Sequence, residues 1–292
     1  MISKVIKNRY QREIEIYIWK AKKTKAIMII AHGASEHIYR YDEYATFLKN
    51  HGITVYGYNH LGHGNNKSEI INGVFFSDKD GEKYLIDDLE DVCIAAYQDN
   101  KNLPLIIFGH SMGSLIVRGL MSHTKLRPEG VIICGSLHPS SQVIKAGLML
   151  AKTNTKIFGK TKMSKSLNNI AFGNFEKRIS YNQENVEKYK NDKDCGMLFS
   201  NQAIVDLMEL MNDVTKDSTI SKMIKTKYYI ISGKDDPFSD STKQLKVFFK
   251  KLDQNKIDYN YKFYSGMKHE ILMEDKKEDV FKDIIKFIDE IS

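Results

Sequence analysis

The sequence predicts an α/β fold: a mostly parallel central sheet flanked by helices, with a helical segment inserted between two strands. Three observations carry this. Short apolar runs alternate with longer amphipathic stretches through the first half of the chain, the same rhythm resumes near its end, and it stops between residues 139 and 221. Strand–helix–strand repetition uses right-handed crossovers, which place helices over both faces of a parallel sheet. At 292 residues, with 42% hydrophobic residues, 16 tyrosines and 14 phenylalanines, the chain can build a large core and does not have a disordered composition.

Taken in order, Ile14, Ile16 and Ile18 alternate with Glu13, Glu15 and Tyr17, the pattern of a half-exposed strand. Ala26–Ala31 is a continuous apolar run, hence a strand covered on both faces. Residues 39–50 read as a helix ending near Gly52, and Ile53–Tyr58 as the next strand. Over 84–98, Leu85, Leu89, Val92, Ala95 and Ala96 share one helical face. A strand at 105–108, a helix at 115–121 and a strand at 131–134 follow. The late series is a strand at 228–232, a helix at 242–252, a strand at Tyr259–Tyr264 and a closing helix at 279–291. Residues 1–138 and 222–292 are assigned to the α/β core. Residues 139–221, polar, broken and helix-prone, are assigned to a helical cap.

The net charge is +7, but lysine is scattered along the chain and usually sits near an acid, as on a solvated surface. No nucleic-acid partner is expected. Cys93, Cys134 and Cys195 are odd in number and far apart, so neither a disulfide framework nor a zinc spacing can be read from them. A reducing, cytoplasmic setting fits. The N-terminal residues contain no apolar signal-like run, and no stretch reaches the ~18 apolar residues of a membrane span. Membrane contact, if it occurs, is expected to be peripheral.

The strongest motif is Gly109-His110-Ser111-Met112-Gly113, a G-x-S-x-G elbow between a strand and a helix. The chain must turn from strand into helix within a few residues and leave the serine hydroxyl exposed. Side chains at the two glycines would crowd the strand and helix. The Met112 N–H then lies at a helix N-terminus, where donors are free and negative charge is favoured. A second donor for an oxyanion is expected from the loop after an earlier strand. His32-Gly33-Ala34 follows Ala26–Ala31, which makes the Ala34 N–H the candidate.

A serine hydroxyl needs a base to become a nucleophile. In sheets carrying this elbow, the acid and then the base follow the serine in chain order. Of nine histidines, only His123, His138 and His269 follow Ser111, and only His269 lies beyond the late strand, before the last helix. It is the expected general base and acid. The orienting acid should follow the strand at 228–232, where Asp235 and Asp236 compete. Asp236, directly before Pro237, is chosen, and Asp235 is read as a solvated loop residue.

These residues resemble the monoacylglycerol lipase and lysophospholipase branch of the α/β-hydrolases over most of the chain. His32-Gly33-Ala34-Ser35-Glu36-His37 with Arg40-Tyr41 is similar to that branch's H-G-x-x-E-H-x-x-R-Y oxyanion loop. Asn59-His60-Leu61-Gly62-His63-Gly64 is similar to its D-H-R-G-H-G stretch, Gly233–Pro237 to its acid loop, and Ser265–Glu270 to its histidine loop. Tyr189, Asp192, Asp194 and Cys195 are similar to cap residues of bacterial members. The resemblance supports Asp236 independently. It implies that His32, His37, His60 and His63 brace loops; no metal is expected, because no acid and thiol set is seen to complete a site with them. Asn59 and Leu61 depart from the branch's Asp and Arg, and their joint change leaves the catalytic set intact.

Between residues 140 and 175 there are six lysines and no Asp or Glu, with Val143, Ile144, Leu148, Met149, Ile157 and Phe158 interleaved. This reads either as a cap helix packed on its own core or as a lid that meets anionic lipid. The apolar face could also line an acyl pocket. The expected activity is cleavage of a carboxylic ester, a monoacylglycerol, lysophospholipid or similar acyl ester, through an acyl-enzyme on Ser111 without a cofactor. The alternatives are an aminopeptidase or amidase on the same scaffold, for which no amine-holding acid stands out, and a non-catalytic binding protein, which would not need every triad position filled.

Overall fold

The computed structural model describes residues 1–67, 70–173 and 175–291. One sheet of eight strands runs through it: β1 (Ile2–Lys7), β2 (Glu13–Trp19), β3 (Ala26–Ala31), β4 (Ile53–Tyr58), β5 (Leu105–His110), β6 (Gly130–Cys134), β7 (Lys227–Gly233) and β8 (Tyr259–Tyr264). Their spatial order is β1-β2-β4-β3-β5-β6-β7-β8. The pairs β1–β2 and β2–β4 are antiparallel, and every pair from β4 to β8 is parallel.

Strands β3 to β6 are buried along their whole length, which is why they are written as unbroken apolar runs. Alternate residues serve opposite faces. Ile27, Ile29 and Ala31 join the larger core, with α2 (Gly81–Asp99) and α3 (Met112–His123). Ala26, Met28 and Ile30 join the other, with α1 (Asp42–Asn50) and a C-terminal helix at Lys277–Ile291.

Two features differ from the sequence reading. Strand β2 is half-exposed only at its start. Tyr17 and Trp19 are also buried, because Tyr17 packs on Tyr39 and the Trp19 Nε1–H donates to Asp42 Oδ1 at 2.7 Å. Strand β1 left little apolar signal, since Ile2 and Val5 face solvent. A polar anchor holds the hairpin instead: Asn8 Oδ1 accepts from the Tyr10 and Arg12 N–H groups, and Asn8 Nδ2 donates to Asp88 of α2 at 2.7 Å.

Between β6 and β7 the described chain is helical: α4 (Ser141–Phe158), α5 (Lys165–Phe172), α6 (Phe175–Ile179), α7 (Gln183–Asn191), α8 (Asn201–Val214) and α9 (Asp217–Ile220). Ser140, Ser164, Asn182 and Ser200 each accept from a backbone N–H of the helix they precede. These caps explain a segment that is helix-prone yet broken. Helix α8 is part of the larger core, packed with α2 and α3, and α4 packs on α8, adding Ile144 and Ala151 to the same core. Helices α6 and α7 share a small cluster of their own, Ile179, Val186 and Tyr189 with Phe175 and Cys195 beside them. The chain closes with α10 (Lys243–Gln254) and α11 (Lys277–Ile291). No helix among the described residues is long and apolar enough to cross a membrane.

One buried side chain ties this insert to the core. Arg118 of α3 donates to Leu137 O at 2.7 Å, where the chain has just left β6, and to Val214 O at 2.8 Å, the last residue of α8. It also reaches His138 Nδ1 at 3.0 Å and lies over the Phe248 ring at 4.0 Å. Burial pulls the guanidinium down to about 9. The carbonyl end of α8 offers it partial negative charge in place of a carboxylate.

Candidate active site

Ser111 sits between β5 and α3 with φ +53° and ψ −118°, a strained turn outside both elements. The flanking glycines permit it. A Cβ at Gly109 would meet Gly113 O at 2.5 Å, and one at Gly113 would meet Ala31 O at 2.1 Å. The turn is tied to the neighbouring strand by Ser111 N–H donating to Cys134 O at 3.0 Å.

The loop after β8 brings His269 beside this serine. Ser111 Oγ and His269 Nε2 are 2.8 Å apart, and His269 Nδ1 is 3.0 Å from Asp236 Oδ2 in the loop after β7. With Nδ1–H donating to the carboxylate, Nε2 is left to accept the serine proton. Asp236 also accepts from Phe238 N–H at 2.9 Å and Ser232 Oγ at 3.2 Å. Burial alone would raise its pKa, but the His269 charge and these hydrogen bonds hold it below the ordinary aspartate value. Asp236 and His269 have no exposed surface, whereas Asp235 faces solvent.

The loop after β3 packs directly on the elbow: a Cβ at Gly33 would lie 3.3 Å from Ser111 Cβ. Among the described residues, the Ala34 and Met112 N–H groups donate to no protein acceptor. Met112 opens α3 directly after Ser111, and Ala34 lies in the loop after β3. Three histidines hold this loop in shape. His32 Nε2 accepts from His60 N–H and His63 Nε2 from Ser35 N–H, each at 3.1 Å, and His60 Nε2 donates to His32 O at 3.1 Å. Burial drives His60 down to about 3 and His63 to about 4, so both are neutral near pH 7.

A buried ionic network lies behind the triad. Arg40 bridges Glu36 at 2.5 Å and Glu270 at 2.6 Å, and Asn185 of α7 donates to Glu270 at 2.6 Å. Glu36 accepts from Gly33 N–H at 2.5 Å and Tyr41 O–H at 2.8 Å. Tyr41 Oη is 2.9 Å from His110 Nδ1, and His110 Nε2 reaches His269 O at 3.2 Å. Burial would favour neutral carboxyls, but Arg40 holds both acids below their ordinary range. Sequence motifs contained Glu36, Arg40, Tyr41 and Glu270 without assigning them work; Asn185 carried no signal. The network braces the loop after β3 and the backbone of His269 together.

The insert covers this arrangement. The Phe238 ring lies 4.5 Å from His269, and Arg178 of α6 stacks on Phe238 at 4.1 Å while donating to Pro237 O at 3.1 Å. Ser111 is only 8% exposed. Beside Ala34 a cavity of about 210 Å³ runs into the insert, lined by Phe172, Phe175, Tyr189, Met197 and Leu198 among others.

A serine elbow backed by a buried histidine and carboxylate, at the carboxyl ends of a mostly parallel sheet, defines an α/β-hydrolase. The chain belongs to the serine aminopeptidase S33 family, whose pattern matches residues 22–276, and it is a serine hydrolase. It is 26% identical to the monoglyceride lipase of Rattus norvegicus over 86% of this chain and 78% of that one. It is 24% identical to phospholipase YtpA of Bacillus subtilis over 94% of this chain and 99% of that one. A thermostable carboxyl esterase from Bacillus coagulans, solved with glycerol, superposes with a TM-score of 0.87 at 20% identity, covering 99% of this chain and 98% of that one.

Proposed function

We propose that this serine hydrolase cleaves carboxylic esters of lipid type, monoacylglycerols or lysophospholipids, through an acyl-enzyme on Ser111. The carrying observation is the continuous contact Ser111–His269–Asp236, with distances of 2.8 and 3.0 Å in a buried site. His269 takes the serine proton during attack and returns it to the leaving alcohol. Asp236 holds the imidazole in the tautomer this needs, and the Ala34 and Met112 N–H groups receive the negative oxygen of the tetrahedral intermediate. Water then releases the acid. Residues 139–221 act as the cap, and the cavity beside Ala34 takes the acyl chain. The lipase and phospholipase names among the relatives agree with an ester of this class.

The family's aminopeptidase description favours a second reading. An aminopeptidase needs a free carboxylate to hold a substrate amine. The buried acids behind this triad, Glu36 and Glu270, are both committed to Arg40, which supports the ester instead. The exposed face of α4 further supports a cap that rests on an anionic lipid surface.

A p-nitrophenyl ester series from acetate to palmitate, run with wild type and Ser111→Ala beside fluorophosphonate labelling, tests the proposal. Turnover and labelling should both vanish in the variant, and monoacylglycerol should be cleaved by the wild type. An active wild type that releases amino-terminal residues but no fatty acid would replace this reading with the aminopeptidase one.

A further inference from the structure

His37 is set apart from the other loop histidines. Its Nε2 lies 2.8 Å from Asp192 Oδ2, and Cys195 completes a group whose donor atoms all lie within 4.8 Å of one another. His37 comes from the loop after β3, and the other two come from the turn that follows α7. The sequence shows only a D-x-x-C spacing there; the fold supplies the histidine from 155 positions earlier.

The group is held in place by its surroundings. Asp192 Oδ1 accepts from Asp194 N–H at 2.9 Å, which leaves Oδ2 turned to His37. Cys195 N–H donates to Asp192 O at 3.1 Å, and Gly196 N–H to Ser35 O at 2.9 Å. Ser35 Oγ donates to Met197 O at 2.7 Å. The ligand-bearing turn is thus stitched to the oxyanion-side loop whether or not anything binds. His37 is 8% exposed, and its Nδ1 is buried without a hydrogen-bond partner. The unpaired Nδ1 can carry the ring proton, which frees Nε2, the nitrogen that faces Asp192, to bind a cation. An entry route exists: a cleft of about 710 Å³ lined by His37 and Asp192 also presents Glu43, Glu184 and Glu187.

We propose that His37, Asp192 and Cys195 form a binding site for one thiophilic divalent cation, Zn²⁺ foremost, that staples the cap to the oxyanion-side loop. Imidazole nitrogen, carboxylate oxygen and thiolate sulfur form a donor set that Zn²⁺ takes and that Mg²⁺ and Ca²⁺ do not. Three protein donors leave the fourth tetrahedral position to water. Cys195 binds as the thiolate and its proton goes to solvent. Because the donors come from two bodies, the cation opposes their separation, and cap opening becomes coupled to its occupancy. The site stands apart from the triad, and its cation binding does not depend on which ester the enzyme cleaves.

Co²⁺ titration of the tag-free, full-length protein tests this. Wild type should develop a saturable thiolate-to-cobalt charge-transfer band at one equivalent, which Zn²⁺ abolishes. The band should be absent in Cys195→Ser, and Asp192→Asn should weaken Zn²⁺ binding at least tenfold, measured against a chromophoric chelator. Zn²⁺ should raise the Tm of wild type but not of Cys195→Ser. No band in the wild type overturns the proposal, and so does equal stabilisation of wild type and Cys195→Ser by Zn²⁺. If the serine variant does not fold, the wild-type band and Asp192→Asn decide.

Discussion

Asp235 and Asp236 are neighbours in the chain with opposite surroundings. One is in water; the other is sealed against His269 with its charge stabilised by three hydrogen-bonded neighbours. Asp236→Asn should therefore lower kcat by about 10³–10⁴-fold with little change in far-UV circular dichroism. Asp235→Asn should leave kcat within about twofold. Equal losses in the two variants would move the orienting role away from Asp236. At this scale much could be read from sequence. Ser111 announced itself because a strained turn demands glycines on both sides. His269 and Asp236, which the structure brings to Ser111, could be located because each lies in a loop after one of the last two strands in chain order. The Glu36–Arg40–Glu270 ties could not be paired that way, since 230 residues separate Arg40 from Glu270 and nothing local links them. Asn185 lies on a polar helix whose sequence offers no pattern.

Elements were legible where burial on two faces writes a continuous apolar run, as in β3 and β5. Strand β1 was missed because its stability comes from pairing with β2 and from the Asn8 anchor rather than from apolar burial. The contact between α8 and the start of α2 hides a titrating group that sequence could not disclose. Asp206 of α8 is 1% exposed; its Oδ1 accepts from Gln202 at 2.8 Å, while Oδ2 has no hydrogen-bond partner. Burial foremost, with Glu82 and Asp80 nearby, raises it to about 7. The folded protein keeps a proton here that the unfolded chain loses near pH 4. The stability this supplies is fully present below that value and is lost as pH rises through 7. Asp206→Asn should accordingly raise the Tm at pH 8 and have little effect at pH 4.5. A Tm difference that does not change with pH would show that Asp206 is not the titrating group.

On the whole molecule, the outer face of α4 is the feature most out of keeping with a plain soluble surface. Val143, Leu150 and Ile157 recur at seven-residue spacing and are 63%, 37% and 64% exposed, with Phe158 beside them. That spacing keeps them on one side of the helix. Of the lysines nearby, Lys152 pairs with Glu209 at 2.6 Å and Lys160 donates to Asp78 O at 2.7 Å, so both are partly committed to the protein. The apolar stripe is the sharper probe. Ile157→Ser with Phe158→Ser should weaken binding to anionic phospholipid vesicles at least tenfold, since each buried side chain contributes roughly 1.5–3 kcal/mol. Hydrolysis of a soluble short ester should be unchanged. Vesicle sedimentation that is the same for both proteins would leave this face as ordinary surface.

Arg118 grips the carbonyl where the insert begins and the carbonyl where α8 ends. Departure and return are thus fastened by one bolt, and the bolt is threaded into the same helix that carries Ser111 at its start. Grafting the insert of a relative onto this core is consequently a problem of two carbonyl positions rather than of sequence similarity. A donor segment that delivers oxygens to both prongs of the guanidinium can be exchanged. One that delivers a single oxygen leaves a cation stranded in the interior.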